Sequence, residues 1–224
     1  RCCQLTQLPV WFHELTRLES LDLSGNYHLR ELPQVVRALT RLQELDLGHC
    51  NLTQLPDWIQ ELNHLRRLRL YASPSLLRNG VPPVIRTLTG LEELNLNGGK
   101  LTTLPDWLSD LTQLEKLELR GNHFTELPNV VSNLVNLTEL DLASCRLRTI
   151  TADIGNLTQL RRLDLYGNQD LSTLPISLGN CERLTYINVS YTSIDPQQNP
   201  LLEVIRVRRA ALIQDTDNES WTAI

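Results

Sequence analysis

The chain has 224 residues, with 21 Lys and Arg against 26 Asp and Glu for a formal net charge of -5, and its residues are 41% hydrophobic but only 5% aromatic. That acidic balance argues against a nucleic-acid partner, which would want a clearly basic face. No apolar run approaches the roughly 18 residues of a membrane-spanning helix, and the low aromatic content suits a core of identical stacked units better than a mixed globular interior.

In chain order, residues 1–17 read as a truncated first repeat that opens in mid-pattern, as an excised piece of a longer chain would. A leucine-rich phrase then returns eight times over residues 18–200, as LESLDLSGN, LQELDLGHC, LRRLRLYAS, LEELNLNGG, LEKLELRGN, LTELDLASC, LRRLDLYGN and LTYINVSYT. The phrases start at Leu18, Leu42, Leu65, Leu91, Leu114, Leu137, Leu160 and Leu184, so the spacings are 24, 23, 26, 23, 23, 23 and 24 residues. Units of this size are too small to bury their own apolar face and must stack on their neighbours. Residues 201–224 read as a divergent closing repeat and tail, in which LEVIRVRRA (202–210) fits the phrase as a ninth strand.

Within each phrase the alternation of apolar and polar residues predicts a short strand with one solvated face. Leu21 and Leu23 point inward, and Ser20, Asp22 and Ser24 outward. Successive strands share one sense and pair in parallel into a curved sheet. The LxxLP segments that follow, such as Leu52 to Pro56 and Leu101 to Pro105, put Pro where a short helical turn begins. Those turns line the opposite, convex side, where Trp11, Trp58 and Trp107 share one position and are expected to pack between adjacent turns.

The ninth residue of each phrase turns the chain inward. A buried Asn there bonds the backbone of its own and the next repeat. The column Cys3, Asn26, Cys50, Ser73, Gly99, Asn122, Cys145, Asn168, Thr192 is therefore a mixed ladder, with Gly99 its weakest rung. Cys3 and Cys50 sit two rungs, about 10 Å, apart, too far for a disulfide, so buried and unreactive thiols in a reducing, intracellular setting are expected. Five Asn-x-Ser/Thr sequons, at Asn51, Asn136, Asn156, Asn188 and Asn218, follow largely from the repeat's own spelling.

These residues resemble the leucine-rich repeat family, over about nine-tenths of the chain. The spelling LPxxIxxLxxLxxLxLxxN is similar to the 23-residue class of intracellular plant Ras-group repeat proteins, junctional scaffold proteins and secreted bacterial effectors. The stretch LGNCERLTYINVS (178–190) is similar to the sensor regions of plant immune receptors. The resemblance implies an α/β solenoid, a curved right-handed superhelix with a parallel sheet on its concave face and short helical turns on its convex face. It also implies protein binding on the concave sheet, with the chain inside a cell, or in a host cytoplasm if it is a bacterial effector.

The concave columns follow from the register. The fifth position reads Asp22, Asp46, Arg69, Asn95, Glu118, Asp141, Asp164, Asn188, and the third reads Ser20, Glu44, Arg67, Glu93, Lys116, Glu139, Arg162, Tyr186. Like-charged neighbours repel along such a sheet, so two acidic stretches flank a basic one at Arg67 and Arg69. Lys116 is placed to reach Glu139, and Arg162 to reach Asp141. Tyr71, Tyr166, Tyr186 and Tyr191 fall in concave slots, the last three beside Arg206, Arg208 and Arg209. Exposed Tyr is a favoured contact residue, which points to the C-terminal half of the concave face. The expected partner is a protein carrying a basic segment, bound by a monomer. The alternative is a structural scaffold that self-associates through the convex Trp column. The five histidines give no metal-ligand spacing, His49 and Cys50 point to opposite sides, and no phosphate loop is present. No catalytic residue, metal or cofactor is expected, and the chain reads as a non-enzyme.

Overall fold

A computed structural model describes residues 4–195, 197 and 199–206. Eight short strands form one open sheet: β1 (Ser20–Asp22), β2 (Glu44–Asp46), β3 (Arg67–Arg69), β4 (Glu93–Asn95), β5 (Lys116–Glu118), β6 (Glu139–Asp141), β7 (Arg162–Asp164) and β8 (Tyr186–Asn188). Their spatial order is their chain order and every pairing is parallel. The register places each phrase directly on the next, so Leu21, Leu45, Leu68, Leu94, Leu117, Leu140, Leu163 and Ile187 form one inward column. The leucines of the middle repeats, such as Leu65, Leu68 and Leu70, are buried.

Between strands the chain returns through one five-residue 3₁₀ turn per repeat: η1 (Val10–Glu14), η2 (Gln34–Ala38), η3 (Asp57–Glu61), η4 (Pro83–Thr87), η5 (Asp106–Asp110), η6 (Asn129–Asn133), η7 (Ala152–Asn156) and η8 (Ile176–Asn180). Seven of them start immediately after a Pro, and Thr151 takes its place before η7. The third residue of each later turn (Val36, Ile59, Ile85, Leu108, Val131, Ile154, Leu178) is fully buried and anchors the turn to the core. The tryptophans do not form a continuous column. They alternate with Val35, Val84 and Val130 at the same turn position, which sets them two rungs apart. Trp58 and Trp107 lie half-buried against the core, and Trp11 is 57% exposed beside Phe12.

The ninth-position ladder is as mixed as the sequence suggests, but its bonds run backwards. Asn168 accepts from the Cys145 and Leu147 backbone N–H groups (3.0 and 2.9 Å) and donates to the Leu142 and Leu165 carbonyls (2.9 and 2.8 Å). Asn122 likewise accepts from Leu101 N–H (2.9 Å) and donates to Leu96 and Leu119 (3.0 and 2.6 Å). Each Asn thus ties its own repeat to the preceding one, not to the next. Cys50 and Cys145 use their thiols as donors to the preceding repeat, to the Leu23 and Leu119 carbonyls (3.2 and 3.1 Å). Cys50, Cys145 and Cys181 are buried; Cys3 lies outside the described residues.

Gly99 is not a vacant rung. A Cβ on it would meet Leu77 Cδ1 at 2.5 Å. Leu77 belongs to the lengthened third repeat and is 2% exposed. The insertion and the glycine are one packing unit: the longer loop carries an apolar side chain into the space that Asn occupies elsewhere.

The eighth position has a backbone rule of its own. Gly25, His49, Ala72, Gly98, Gly121, Ser144, Gly167 and Tyr191 all have φ between 50° and 73°. The left-handed turn is required at every rung, and only half of the residues that make it are the glycines that do so without steric cost.

The predicted ninth strand (202–210) is not formed over its described residues, 202–206. Residues 200–206 are helical (α1), with Asn199 Oδ1 accepting the Leu201 backbone N–H at 3.1 Å. Asn before Pro200 is an N-cap followed by Pro at the first helical position. Leu201, Leu202 and Ile205 then fall at helical spacing and pack on the core. The same leucines fit a strand pattern by position alone, and the cap decides against it. Arg208 and Arg209 lie outside the described residues.

Candidate functional site

The strand register sets the concave face. Asp22 stands opposite Asp46, Asp46 opposite Arg69, Glu118 opposite Asp141 and Asp141 opposite Asp164. In the third and fifth columns together, eight carboxylates face four cations, a net of -4 out of the chain's -5. The middle of the acidic stretch encloses a depression of about 200 Å³ lined by Lys116, Glu118, Glu139, Asp141, Arg162 and Asp164.

The fifth column has a structural duty that the sequence reading missed. A side-chain oxygen there accepts the backbone N–H two residues on, in Asp22–Ser24 (2.8 Å), Asp46–Gly48 (2.9 Å), Asn95–Asn97 (3.0 Å), Asp141–Ala143 (2.9 Å), Asp164–Tyr166 (3.0 Å) and Asn188–Ser190 (3.1 Å). This closes the turn at the strand end and explains why six of eight positions are Asp or Asn. The enrichment was legible as a column, and its cause was not. The bond needs only an oxygen, however, so Asp brings a charge that Asn would not. Burial first, then the neighbouring Asp22, pushes the Asp46 carboxyl above the usual carboxylate range despite the Gly48 bond. Asp141 is raised likewise, by burial and by Asp164 and Glu118.

The expected basic stretch is internally neutralised. Arg67 is held by Glu44, with Nε 2.7 Å from the carboxylate, and Arg69 by Glu93 at 3.0 Å. Register places each arginine beside a carboxylate on an adjacent strand, so neither stands as an open cation. Arg67 in turn holds the Glu44 carboxyl below its ordinary range. Lys116 contacts Glu118 at 2.6 Å and Glu139 at 3.9 Å. Arg162 does not pair with Asp141; its guanidinium lies 3.7 Å above the Tyr186 ring.

Of the three C-terminal tyrosines, two come together, and Tyr186 instead lies under Arg162. Tyr166 and Tyr191 meet edge to face at 5.1 Å between ring centroids, with the Arg120 guanidinium 5.9 Å from the Tyr166 ring. Tyr191 is 70% exposed at the end of this group. Tyr71 is not part of it. Tyr71 packs edge to face with His49 (5.3 Å), which in turn meets Tyr27 (6.2 Å), at the opposite end of the sheet. Arg206 is on α1, bound to Glu203 through two bonds of 3.0 and 2.9 Å, and so is not the next residue of the fifth column.

Chemistry is sparse by comparison. Burial drives the Cys145 thiol up to about 12 and raises Cys50 as well, which suppresses the thiolate that a nucleophile needs. His49 is exposed while Cys50 is buried, so the two do not meet. Among the described residues no His, Cys, Asp and Glu group is spaced to hold a metal ion, and no helix is long and apolar enough to cross a membrane.

Comparison with known proteins gives a consistent result. Residues 61–215 match the family described as leucine-rich repeat region, and residues 41–62 match a single leucine-rich repeat. No curated protein matches the chain. Among solved structures, a plant peptide hormone receptor in complex with RGF2 aligns over 83% of this chain at 29% identity and a TM-score of 0.62. The chain spans 30% of that receptor's length. The leucine-rich repeat domain of the type III effector XopL aligns over 82% of this chain and 73% of its own, at 28% identity and a TM-score of 0.61. An internalin of Listeria monocytogenes, at 22% identity over 89% of this chain and 62% of its own, shares the fold at a TM-score of 0.63. With the family match covering well over half of its length and the solenoid geometry in place, this chain belongs to the leucine-rich repeat family.

Proposed function

We propose that the chain is a protein-recognition module that engages a partner protein through the C-terminal half of its concave sheet. Leucine-rich repeat domains are generally protein–protein interaction modules and typically not enzymes. The observation that carries the finer reading is the Tyr166–Tyr191 pair with Arg120 beside it, together with the separate Arg162–Tyr186 stack and the carboxylates of Glu118, Asp141 and Asp164 that line the depression beside Arg162. Rigid aromatic area ringed by fixed charge is the composition of an interface hot spot. The acidic column favours a partner segment rich in Lys or Arg, whose charge relieves the repulsion between adjacent carboxylates. The plant receptor solved with RGF2 lends support through its 29% identity over most of this chain. On this reading the chain acts as a monomer within a larger receptor, effector or ligase. The thiols of Cys50, Cys145 and Cys181, used as hydrogen-bond donors, support a reducing intracellular compartment.

The test is capture of partners on the immobilised chain, followed by titration of the captured protein against wild type and the Tyr166→Ala/Tyr186→Ala double variant. Loss of two hot-spot tyrosines weakens binding by at least about thirtyfold, with circular dichroism unchanged. Equal affinity of the two proteins overturns the site. Concentration-dependent dimers in sedimentation would favour self-association through the convex face instead.

A further inference from the structure

At the other end of the sheet, Tyr27, His49 and Tyr71 form a second aromatic group, contributed by three successive repeats. His49 stands between the two tyrosines, at 89° to the Tyr71 ring and 63° to the Tyr27 ring. Tyr27 is 57% exposed and His49 is exposed, while Tyr71 is half-buried. The group is set on a purpose-shaped floor. An added Cβ at Gly48 would meet the Tyr71 ring at 2.2 to 2.6 Å, so only glycine lets the ring lie down on the preceding repeat. His49 reaches its place from a left-handed backbone at φ 53°, a conformation that a residue carrying a Cβ enters at a cost. Asp46 accepts the N–H of that same Gly48 at 2.9 Å, the residue over which the Tyr71 ring lies, and Asp22 stands opposite Asp46 in register. Arg69, the next cation along the column, is occupied by Glu93.

We infer that Tyr27, His49 and Tyr71, backed by Asp22 and Asp46, form a second contact site that receives a basic side chain of a protein partner. A guanidinium or ammonium is drawn to the faces of aromatic rings and to the carboxylates beside them, so this group and its flank favour the same charge. A purely apolar anchor would gain the rings but leave the carboxylates desolvated. The inference rests on the concave face being the recognition surface, and it names what the N-terminal end of that face takes.

The probe is a blocked hexapeptide of alternating Arg and Gly, titrated into the isotope-labelled chain and followed by backbone amide shifts. Shifts centred on residues 22–27, 46–49 and 69–71 are expected. Tyr71→Leu keeps the apolar area and removes the ring face, and it should weaken this binding about threefold, whereas Tyr71→Phe leaves it unchanged. The same peptide with Glu in place of Arg should shift nothing. Equal shifts from a Leu–Gly peptide, or the same affinity in Tyr71→Leu, overturn the cation site. Shifts confined to residues 118–191 overturn it too but uphold the C-terminal reading; no concave shifts at all count against both.

Discussion

The fifth and seventh phrases solve the inward turn with Asn122 and Asn168, while the fourth solves it with Gly99 and Leu77. In the first solution one amide makes three or four bonds to backbone groups of two repeats. In the second, no side chain projects from the ninth position, and a buried leucine from a lengthened loop packs into the space. The contrast shows that the space at a rung's ninth position can be filled either by a bonding amide or by an apolar side chain distant in sequence. Repeat length and the identity of the ninth residue are therefore coupled.

Breaking the polar solution should cost most. Asn168→Ala leaves two backbone N–H groups and two carbonyls buried without this partner, and is expected to destabilise by about 3 kcal/mol in urea unfolding. Leu77→Ala opens a cavity against Gly99 and should cost about 2–3 kcal/mol. Gly99→Asn alone overpacks the site by forcing its Cβ onto Leu77, at about 1–3 kcal/mol. The double variant Leu77→Ala/Gly99→Asn sharpens the comparison: if the two solutions are interchangeable, its loss is smaller than the sum of the single losses by about 1 kcal/mol or more. Strict additivity would show that the loop and the glycine are independent.

The smallest effect tests the charge on the fifth column. Asp141→Asn preserves an oxygen for the Ala143 N–H, as Asn95 and Asn188 do at their own rungs, and removes the repulsion with Asp164. It should stabilise by roughly 0.5 kcal/mol at pH 7. The sign follows from the raised Asp141 carboxyl: the folded chain holds this proton more tightly than the unfolded one. Wild type therefore loses stability as pH rises through the folded-state value and recovers it below the unfolded carboxylate range. The advantage of Asn should accordingly fade as pH falls through that window. An advantage that is constant with pH would assign it to something other than charge.

Much of this architecture was legible because it is periodic. The eight strands, their parallel order and every cross-strand pair in the third and fifth columns follow from the spacing of the leucines, and the Pro-led turns follow from LxxLP. What escaped was set by alternatives of similar local merit. Leu202 and Ile205 suit a strand or a helix, and Asn199–Pro200 tipped them to the helix. Arg162 had a carboxylate and an aromatic ring within reach and lies on the ring. Tyr71 matched Tyr166 by column, yet its ring turns toward His49 because Gly48 clears that path. The left-handed eighth position had a visible signal in Gly25, Gly98, Gly121 and Gly167, masked by the four rungs that use other residues.

The backward direction of the asparagine bonds gives the solenoid a temporal polarity. Leu101 and Leu147 N–H groups receive this partner only when Asn122 and Asn168, 21 residues later, have been placed. A chain growing from its N-terminus at the ribosome is thus always one rung short of closing its last turn. Each repeat certifies the one before it, and after β8 it is α1, packed on the core through Leu201, Leu202 and Ile205, that follows where a ninth strand was expected.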